Sequence, residues 1–401
     1  MKDFYFHMRT KFYYGKGVVG QIADEIAKYG SRAFFLFDEI PAKSSGAYEL
    51  LHKVCGEKGI TVTDFVITKP SPEAKTIDEA RALLKKNGAD VVIALGGGVA
   101  VDMAKATCLT HNYEGSVWEV FEAAGKRASL SGVGAAEEDV LPLITIPTIA
   151  ASGSEVSNVA VIANHDKMAK LDYRSENLRP VAVFIDPSYT FTVPKFPTAC
   201  GILDIMSHSY EGYFSHSTGS MQDGISETIQ RTAIQHGRKV MMVPGDYESR
   251  AQLLWAAQWS IAHLSDQGRN FVGNIHATER AVSNYFGFPH GAGIAIVSIA
   301  WFKYALNDQT AYRFARWAKN VWGVNPALDD MAAAREGIRL YEEFVKELGV
   351  PTRLSQSRLE VSKELVEKCA DDVWESYDCS TWFKPLTSKK ELLDFMMLAW
   401  E

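Results

Sequence analysis

Asp204 and His208 stand four residues apart in a stretch that reads as helix, so a carboxylate and an imidazole project from one face. His276 and His290 follow downstream. The second of these ends Gly287-Phe288-Pro289-His290, a turn that can swing its imidazole back toward the first pair. One aspartate and three histidines make a four-ligand set of oxygen and nitrogen donors for a divalent metal, with room for an exogenous oxygen ligand. The same spacing also describes an ordinary surface pair on a helix. The metal reading therefore draws on what lies upstream.

Upstream, the apolar run at 90–95 enters Gly96-Gly97-Gly98, and a helix is expected from about Ala100. Backbone N–H groups at a helix start, with no side chains in the way, form a cradle for a pyrophosphate; a plain glycine-rich turn has the same composition. Pro147 to Glu155 also follows a strand and is dense in small and hydroxyl residues. Small side chains admit a flat ring and hydroxyls bond phosphate or ribose, although an ST-turn or helix cap uses the same residues. Asp38 ends the first clear strand. In a dinucleotide fold a carboxylate there accepts ribose hydroxyls and repels a 2′-phosphate; otherwise it is a solvated strand-end acid.

These residues need a scaffold. Strand patterns at 33–37, 60–66, 90–95, 143–147 and 181–187 alternate with helical ones after Gly46 and over 77–87, which points to a parallel sheet covered on both faces. Beyond Pro187 strand patterns stop. Helical segments are expected near 198–214, 220–241, 246–264, 270–286, 291–304, 309–322 and 329–348, placing a boundary near residue 190. A length of 401 residues suits two domains. The composition, 47% hydrophobic and 23% charged, is that of a soluble globular protein, and a net charge of −7 with scattered basic residues argues against nucleic acid as partner. No apolar run reaches the roughly 18 residues of a membrane span, and the charged, aromatic N-terminus does not suit a signal peptide. Five widely spaced cysteines without a CxxC pair suit reduced thiols, so a cytoplasmic protein is expected.

Five motifs in order resemble the iron-containing alcohol dehydrogenase family, in its butanol-dehydrogenase-like branch. Its GGGSxxDxAK appears as Gly96-Gly97-Gly98-Val99-Ala100-Val101-Asp102-Met103-Ala104-Lys105. Its PTTAGTGSE corresponds to residues 147–155, its DPxxTxxxP to Asp186 through Pro194, its GxxDxxxHxxE to Gly201 through Glu211, and its PHG to Pro289-His290-Gly291. The resemblance implies a Rossmann-like dinucleotide-binding α/β domain over 1–190 and an all-helical metal-binding domain over 191–401, the dehydroquinate-synthase-like arrangement. It implies metal ligands at Asp204, His208, His276 and His290, a pyrophosphate loop at Gly96, Gly97 and Gly98, nicotinamide-side contacts at Thr148 and Ser152, and a cofactor-ribose contact at Lys170. The expected metal is Fe2+, though the same ligands suit Zn2+, Ni2+ or Co2+. The expected reaction passes a hydride between nicotinamide and a small primary alcohol or aldehyde, in a homodimer. Asp38 favours NAD(H), whereas relatives in this branch often use NADP(H).

Two departures stand out. Val99 replaces the family serine, removing a hydroxyl but no N–H donor. Arg280 stands where the family commonly has a second histidine, one turn after His276. It either forms a salt bridge, with Glu279 or Glu211, or holds an anionic group of the substrate. Competing readings are a non-redox lyase of the dehydroquinate-synthase kind, a glycerol-dehydrogenase-like zinc enzyme and a catalytically silent structural relative.

Overall fold

A computed structural model describes residues 2–128, 139–167, 169–269 and 273–400. The chain divides into two compact units, one of His7–Val193 with Pro244–Ala262, the other of Met1–Phe6, Pro194–Val243 and His263–Glu401.

Among the described residues the first unit has eight strands: β1 (Lys11–Tyr14), β2 (Arg32–Asp38), β3 (Thr61–Ile67), β4 (Val91–Gly96), β5 (Leu143–Pro147), β6 (Val159–Asn164), β7 (Ala169–Arg174) and β8 (Ala182–Ile185). Six of them form one parallel sheet in the order β1-β8-β5-β4-β2-β3. Continuous apolar runs are required because both faces are covered. Phe34, Leu36, Val92 and Ala94 point to one face, against Ile77, Leu84, Val101 and Phe121. Phe35, Phe37, Ile93 and Leu95 point to the other, against Ile22, Ile26 and Leu51. Each such buried side chain contributes roughly 1.5–3 kcal/mol.

The chain runs outward from β2 to β3, then returns to β4 and continues the opposite way through β5 to β8. The direction reverses between β2 and β4, and a crevice for a ligand opens at the carboxyl ends of strands at such a point. Asp38 ends β2 and Gly96 ends β4. The edge strand β1 and the antiparallel hairpin β6–β7 had no counterpart among the expected elements.

The second unit is helical. Its longer helices are Lys195–Tyr213, Ser220–Met242, Asn274–Phe286, His290–Ala305, Ala311–Trp322, Asp330–Glu347, Lys363–Ser376 and Lys389–Trp400. The almost wholly apolar helix His290–Ala305 is buried along most of its length. A Cβ at Gly291 would collide with the Cys200 carbonyl, so glycine lets this helix start against the backbone one turn before Asp204.

A buried ionic cluster fastens the far end of helix Lys195–Tyr213. The Asp223 carboxylate accepts two hydrogen bonds from Arg313, at 2.8 and 2.5 Å, and another from Arg269. Arg313 also donates to the Tyr213 carbonyl (2.8 Å) and lies 3.7 Å over the Tyr213 ring. Burial alone would raise the Asp223 carboxyl, but the two guanidiniums hold it below the ordinary carboxylate value.

Helix Tyr247–Ile261, expected within the helical half, belongs to the first unit. Trp255 packs edge-on against Phe12 and Tyr14, the Tyr14 hydroxyl donates to the Ala251 carbonyl at 2.5 Å, and Gln258 donates to Glu155 at 3.3 Å. Aromatic partners on β1 decide its place. Among the described residues no single helix is long and apolar enough to cross a membrane.

Candidate functional site

In the helical unit, Asp204, His208 and Glu211 occupy positions i, i+4 and i+7 of helix Lys195–Tyr213 and share a face. Glu211 Oε1 accepts from the backbone N–H groups of Ile275 (2.6 Å) and His276 (3.0 Å), which caps helix Asn274–Phe286. Its Oε2 lies 2.6 Å from His276 Nδ1. One carboxylate thus fixes both the start of this helix and the orientation of the imidazole on its first turn.

That helix and the next meet at a 120° bend over Gly287–Pro289, which places His290 at the start of helix His290–Ala305. Ser283 Oγ donates to the Phe288 carbonyl at 3.1 Å and steadies the turn. Glu279 pairs with His290 Nδ1 and with Ser283.

With the Nδ1 atoms of His276 and His290 held by carboxylates, their Nε2 atoms face Asp204 Oδ1 at 3.7 and 3.6 Å. His208 Nδ1 lies 3.5 Å from the same oxygen, and its ring stacks on that of His276 with centroids 4.6 Å apart. These separations exceed a hydrogen bond. Atoms each about 2.1 Å from a tetrahedral ion stand about 3.4 Å apart, so the spacing fits a shared metal better than direct bonding. Asp204 Oδ1, His208 Nδ1 and His276 Nε2 are all buried without a hydrogen-bond partner. Three orphaned polar atoms at one point would be costly unless something positive lay between them. The donor atoms of Asp204, His276 and His290 fall within 4.8 Å of one another; His208 adjoins this trio rather than joining it.

The electrostatics agree. Burial works against charge on His276, but Glu211 and Asp204 prevail and push it up to about 10. His208 goes the other way, down to about 3, because it is buried beside the other imidazoles. Asp204 is held well below the usual range despite burial, by His208, His276 and His290. The carboxylates of Glu211 and Asp204 thus favour positive charge at His276, as a proton or as a cation bound at Nε2.

Arg280 lies one turn beyond His276 on the same helix and is partly buried. Of the aromatic residues near this cluster in sequence, Tyr285 donates to Asp372 at 2.6 Å and Phe288 is buried, while Phe271 lies outside the described residues.

In the α/β unit, the sheet brings Asp38, Gly96, Gly97, Gly98, Thr148 and Ser152 together. Asp38 Oδ2 accepts from the Gly97 N–H at 3.3 Å, and the Thr148 N–H donates to the Gly96 carbonyl at 3.1 Å. A Cβ at Gly96 would strike Asp38, and one at Gly98 would lie 2.9 Å from Ser152 Oγ, so the two turns fit only because these residues are glycine. Burial raises the Asp38 carboxyl, with the Gly97 N–H opposing. Lys170 stands exposed on β7, opposite Ala163.

Sequence reasoning gave no role to Glu211 or Glu279 as orienting groups. Glu211 was within reach as a third residue on the Asp204 face. Glu279 carried no such signal, since its partner depends on the bend before His290.

The family model for iron-containing alcohol dehydrogenase matches residues 9–187, and that for the C-terminal part of the Fe-containing alcohol dehydrogenase family matches residues 198–395. The chain is 36% identical over 372 residues to NADH-dependent butanol dehydrogenase A of Clostridium acetobutylicum, covering 92% of this chain and 93% of the relative. It is 26% identical over 387 residues to the NADPH-dependent aldehyde reductase YqhD of Escherichia coli, covering 94% and 96%. Among solved structures, NADH-dependent butanol dehydrogenase A from Thermotoga maritima superposes with a TM-score of 0.91 at 30% identity, covering 100% of this chain and 99% of that one.

Proposed function

Because this chain belongs to the iron-containing alcohol dehydrogenase family, we propose that it is an NADH-linked alcohol dehydrogenase and aldehyde reductase. In this reading the α/β unit binds the dinucleotide and the helical unit holds one divalent metal on Asp204, His208, His276 and His290. The observation that carries it is the convergence of three buried, partnerless atoms, Asp204 Oδ1, His208 Nδ1 and His276 Nε2. Ferrous iron is the proposed ion; zinc, nickel and cobalt suit the same donors.

A metal bound there supplies Lewis acidity for the alcohol or aldehyde oxygen, and nicotinamide supplies or accepts the hydride. The remaining work belongs to the chain. Glu211 and Glu279 would keep protons on the Nδ1 atoms of His276 and His290, so that with a metal bound each Nε2 would be the donor to it. The glycine turn Gly96, Gly97 and Gly98 would bring a pyrophosphate to the start of helix Gly98–Leu109, Thr148 and Ser152 would line the nicotinamide side and Lys170 would contact the ribose. With Arg280 where the family commonly has a histidine, this chain presents no imidazole at that position to take the alcohol proton.

Asp38 at the end of β2 sets the preference for NADH by accepting ribose hydroxyls and repelling a 2′-phosphate. Replacing Asp38 with Ala is expected to raise the ratio of kcat/KM with NADPH to that with NADH by about tenfold or more, since one like-charge contact is removed. An unchanged ratio would remove Asp38 from cofactor selection.

Arg280 is proposed to hold an anionic group on the substrate, because it sits one turn from His276 and its guanidinium offers five donors. Arg280→Ala should lower kcat/KM for acidic aldehydes about tenfold or more relative to neutral ones. Equal losses on both would reject this role. The overall reading is tested by NADH and NADPH oxidation over a panel of neutral and acidic aldehydes, with no turnover of any aldehyde as the contrary result.

We propose a homodimer in the cytoplasm. Among the described residues no strand pairs with the outer edge of β1, and Trp255, 40% exposed, packs against Phe12 of that strand.

A further inference from the structure

Lys105 is fully buried, yet its Nζ reaches the Ser154 carbonyl (2.7 Å), the Ser154 hydroxyl (3.0 Å), the Ser157 hydroxyl (2.8 Å) and the Val159 carbonyl (2.7 Å). An ammonium has three hydrogens, and two carbonyls with a hydroxyl absorb all of them. Asp102, one turn earlier, accepts from the Ser154 hydroxyl at 2.6 Å and from the Val161 N–H at 3.2 Å. Both belong to the helix Gly98–Leu109, whose first residue is the last glycine of the proposed phosphate cradle.

The spacing gives these contacts a direction. Gly98, Asp102 and Lys105 occupy positions i, i+4 and i+7 and share a helix face. That face meets the segment from Ser152 to Val161 at three successive levels. Ser152 Oγ fills the space where Gly98 would carry a Cβ. The Ser154 hydroxyl bonds Asp102, and its N–H donates to Ser152 Oγ at 3.3 Å. The Ser154 carbonyl, Ser157 and Val159 close on Lys105. Two buried charges are a poor way to gain stability, because apolar residues of similar volume do as well or better, but their fixed donors and acceptors define one register.

We infer that Asp102 and Lys105 are positioning residues that lock the Thr148–Ser154 turn in register with the glycine turn, so that both meet one cofactor together. The inference rests on the proposed binding of NADH by these turns. It assigns a task to the acid and the lysine at the end of the first glycine motif and to the serine of the second. Neither charge touches the cofactor in this arrangement; each acts through Ser154.

The test measures the dissociation constant of NADH by quenching of tryptophan fluorescence in the full-length, metal-loaded protein. Wild type is compared with Lys105→Met, Asp102→Asn and Ser154→Ala, alongside metal content, circular dichroism and the aldehyde KM at saturating NADH. Lys105→Met strands three buried acceptors and is expected to weaken NADH about tenfold or more, with a smaller loss in Ser154→Ala. Metal content and aldehyde KM should stay within about twofold of wild type, because the metal ligands lie on other helices. If Lys105→Met does not fold, Asp102→Asn and Ser154→Ala decide the question. Unchanged NADH affinity in folded variants, or parallel loss of NADH affinity, metal and aldehyde KM, would overturn the inference. Failure of wild type itself to bind NADH would instead overturn the cofactor reading beneath it.

Discussion

Asp204→Ala is expected to abolish metal retention and to lower kcat/KM for aldehyde reduction by about a thousandfold or more. Lewis-acid activation is worth several kcal/mol, and about 4 kcal/mol corresponds to that factor. Asp204 is the hub of the cluster, since Oδ1 faces His208, His276 and His290 at 3.5, 3.7 and 3.6 Å. Its loss removes the one anionic ligand and leaves three imidazoles facing one another. His276, whose high proton affinity draws on Asp204, would lose part of that support. The fold should survive, because Glu211 and Glu279 continue to hold His276 and His290 from behind. The check is metal content, steady-state kinetics and circular dichroism on one preparation. A variant that keeps its metal and works within tenfold of wild type would show that Asp204 is not a ligand.

The largest effect on stability is expected from Asp223→Ala. This carboxylate neutralises Arg313 and Arg269 inside the helical unit, with Arg316 at 3.5 Å. Removing one member of a buried ionic cluster costs about 3–5 kcal/mol, because uncompensated charge is left behind. Arg313 would retain its bond to the Tyr213 carbonyl and its place over that ring. The wild-type pH dependence follows from the same geometry. Because the folded-state carboxyl is held low, its contribution is complete above the unfolded value, about 3.9, and is lost as pH falls through the folded one. Chemical denaturation of variant and wild type at neutral pH measures the loss. A change below about 1 kcal/mol would mean that the arginines find other partners.

Sequence pattern reached different parts of this molecule to different depths. The strands flanking the crevice were legible because a parallel sheet covered on both faces demands unbroken apolar runs, as in Phe34 to Phe37 and Val91 to Leu95. β1 was not, since four residues at a sheet edge carry too little periodicity. The β6–β7 hairpin was missed because its half-exposed residues lack a clean alternation. Helix Tyr247–Ile261 was legible as helix but not as part of the α/β unit, because Phe12 and Tyr14 lie more than two hundred positions away in the chain.

The proposed metal cluster divides in the same way. Asp204 and His208 announce themselves through helical spacing, and His290 through its turn. What distance along the chain concealed was the pairing of Glu211 with His276 and of Glu279 with His290. On the present proposal, those pairings orient the imidazoles as ligands. Likewise, glycines at the end of β4 suggest a phosphate cradle, but only the sheet order shows that they face Asp38 across the reversal between β2 and β4.

Elemental analysis of anaerobically purified full-length protein tests the central claim most directly. One divalent metal ion per chain, iron on the present proposal, is the expected result. Protein that reduces aldehydes with NADH at full rate while carrying no stoichiometric metal would contradict it.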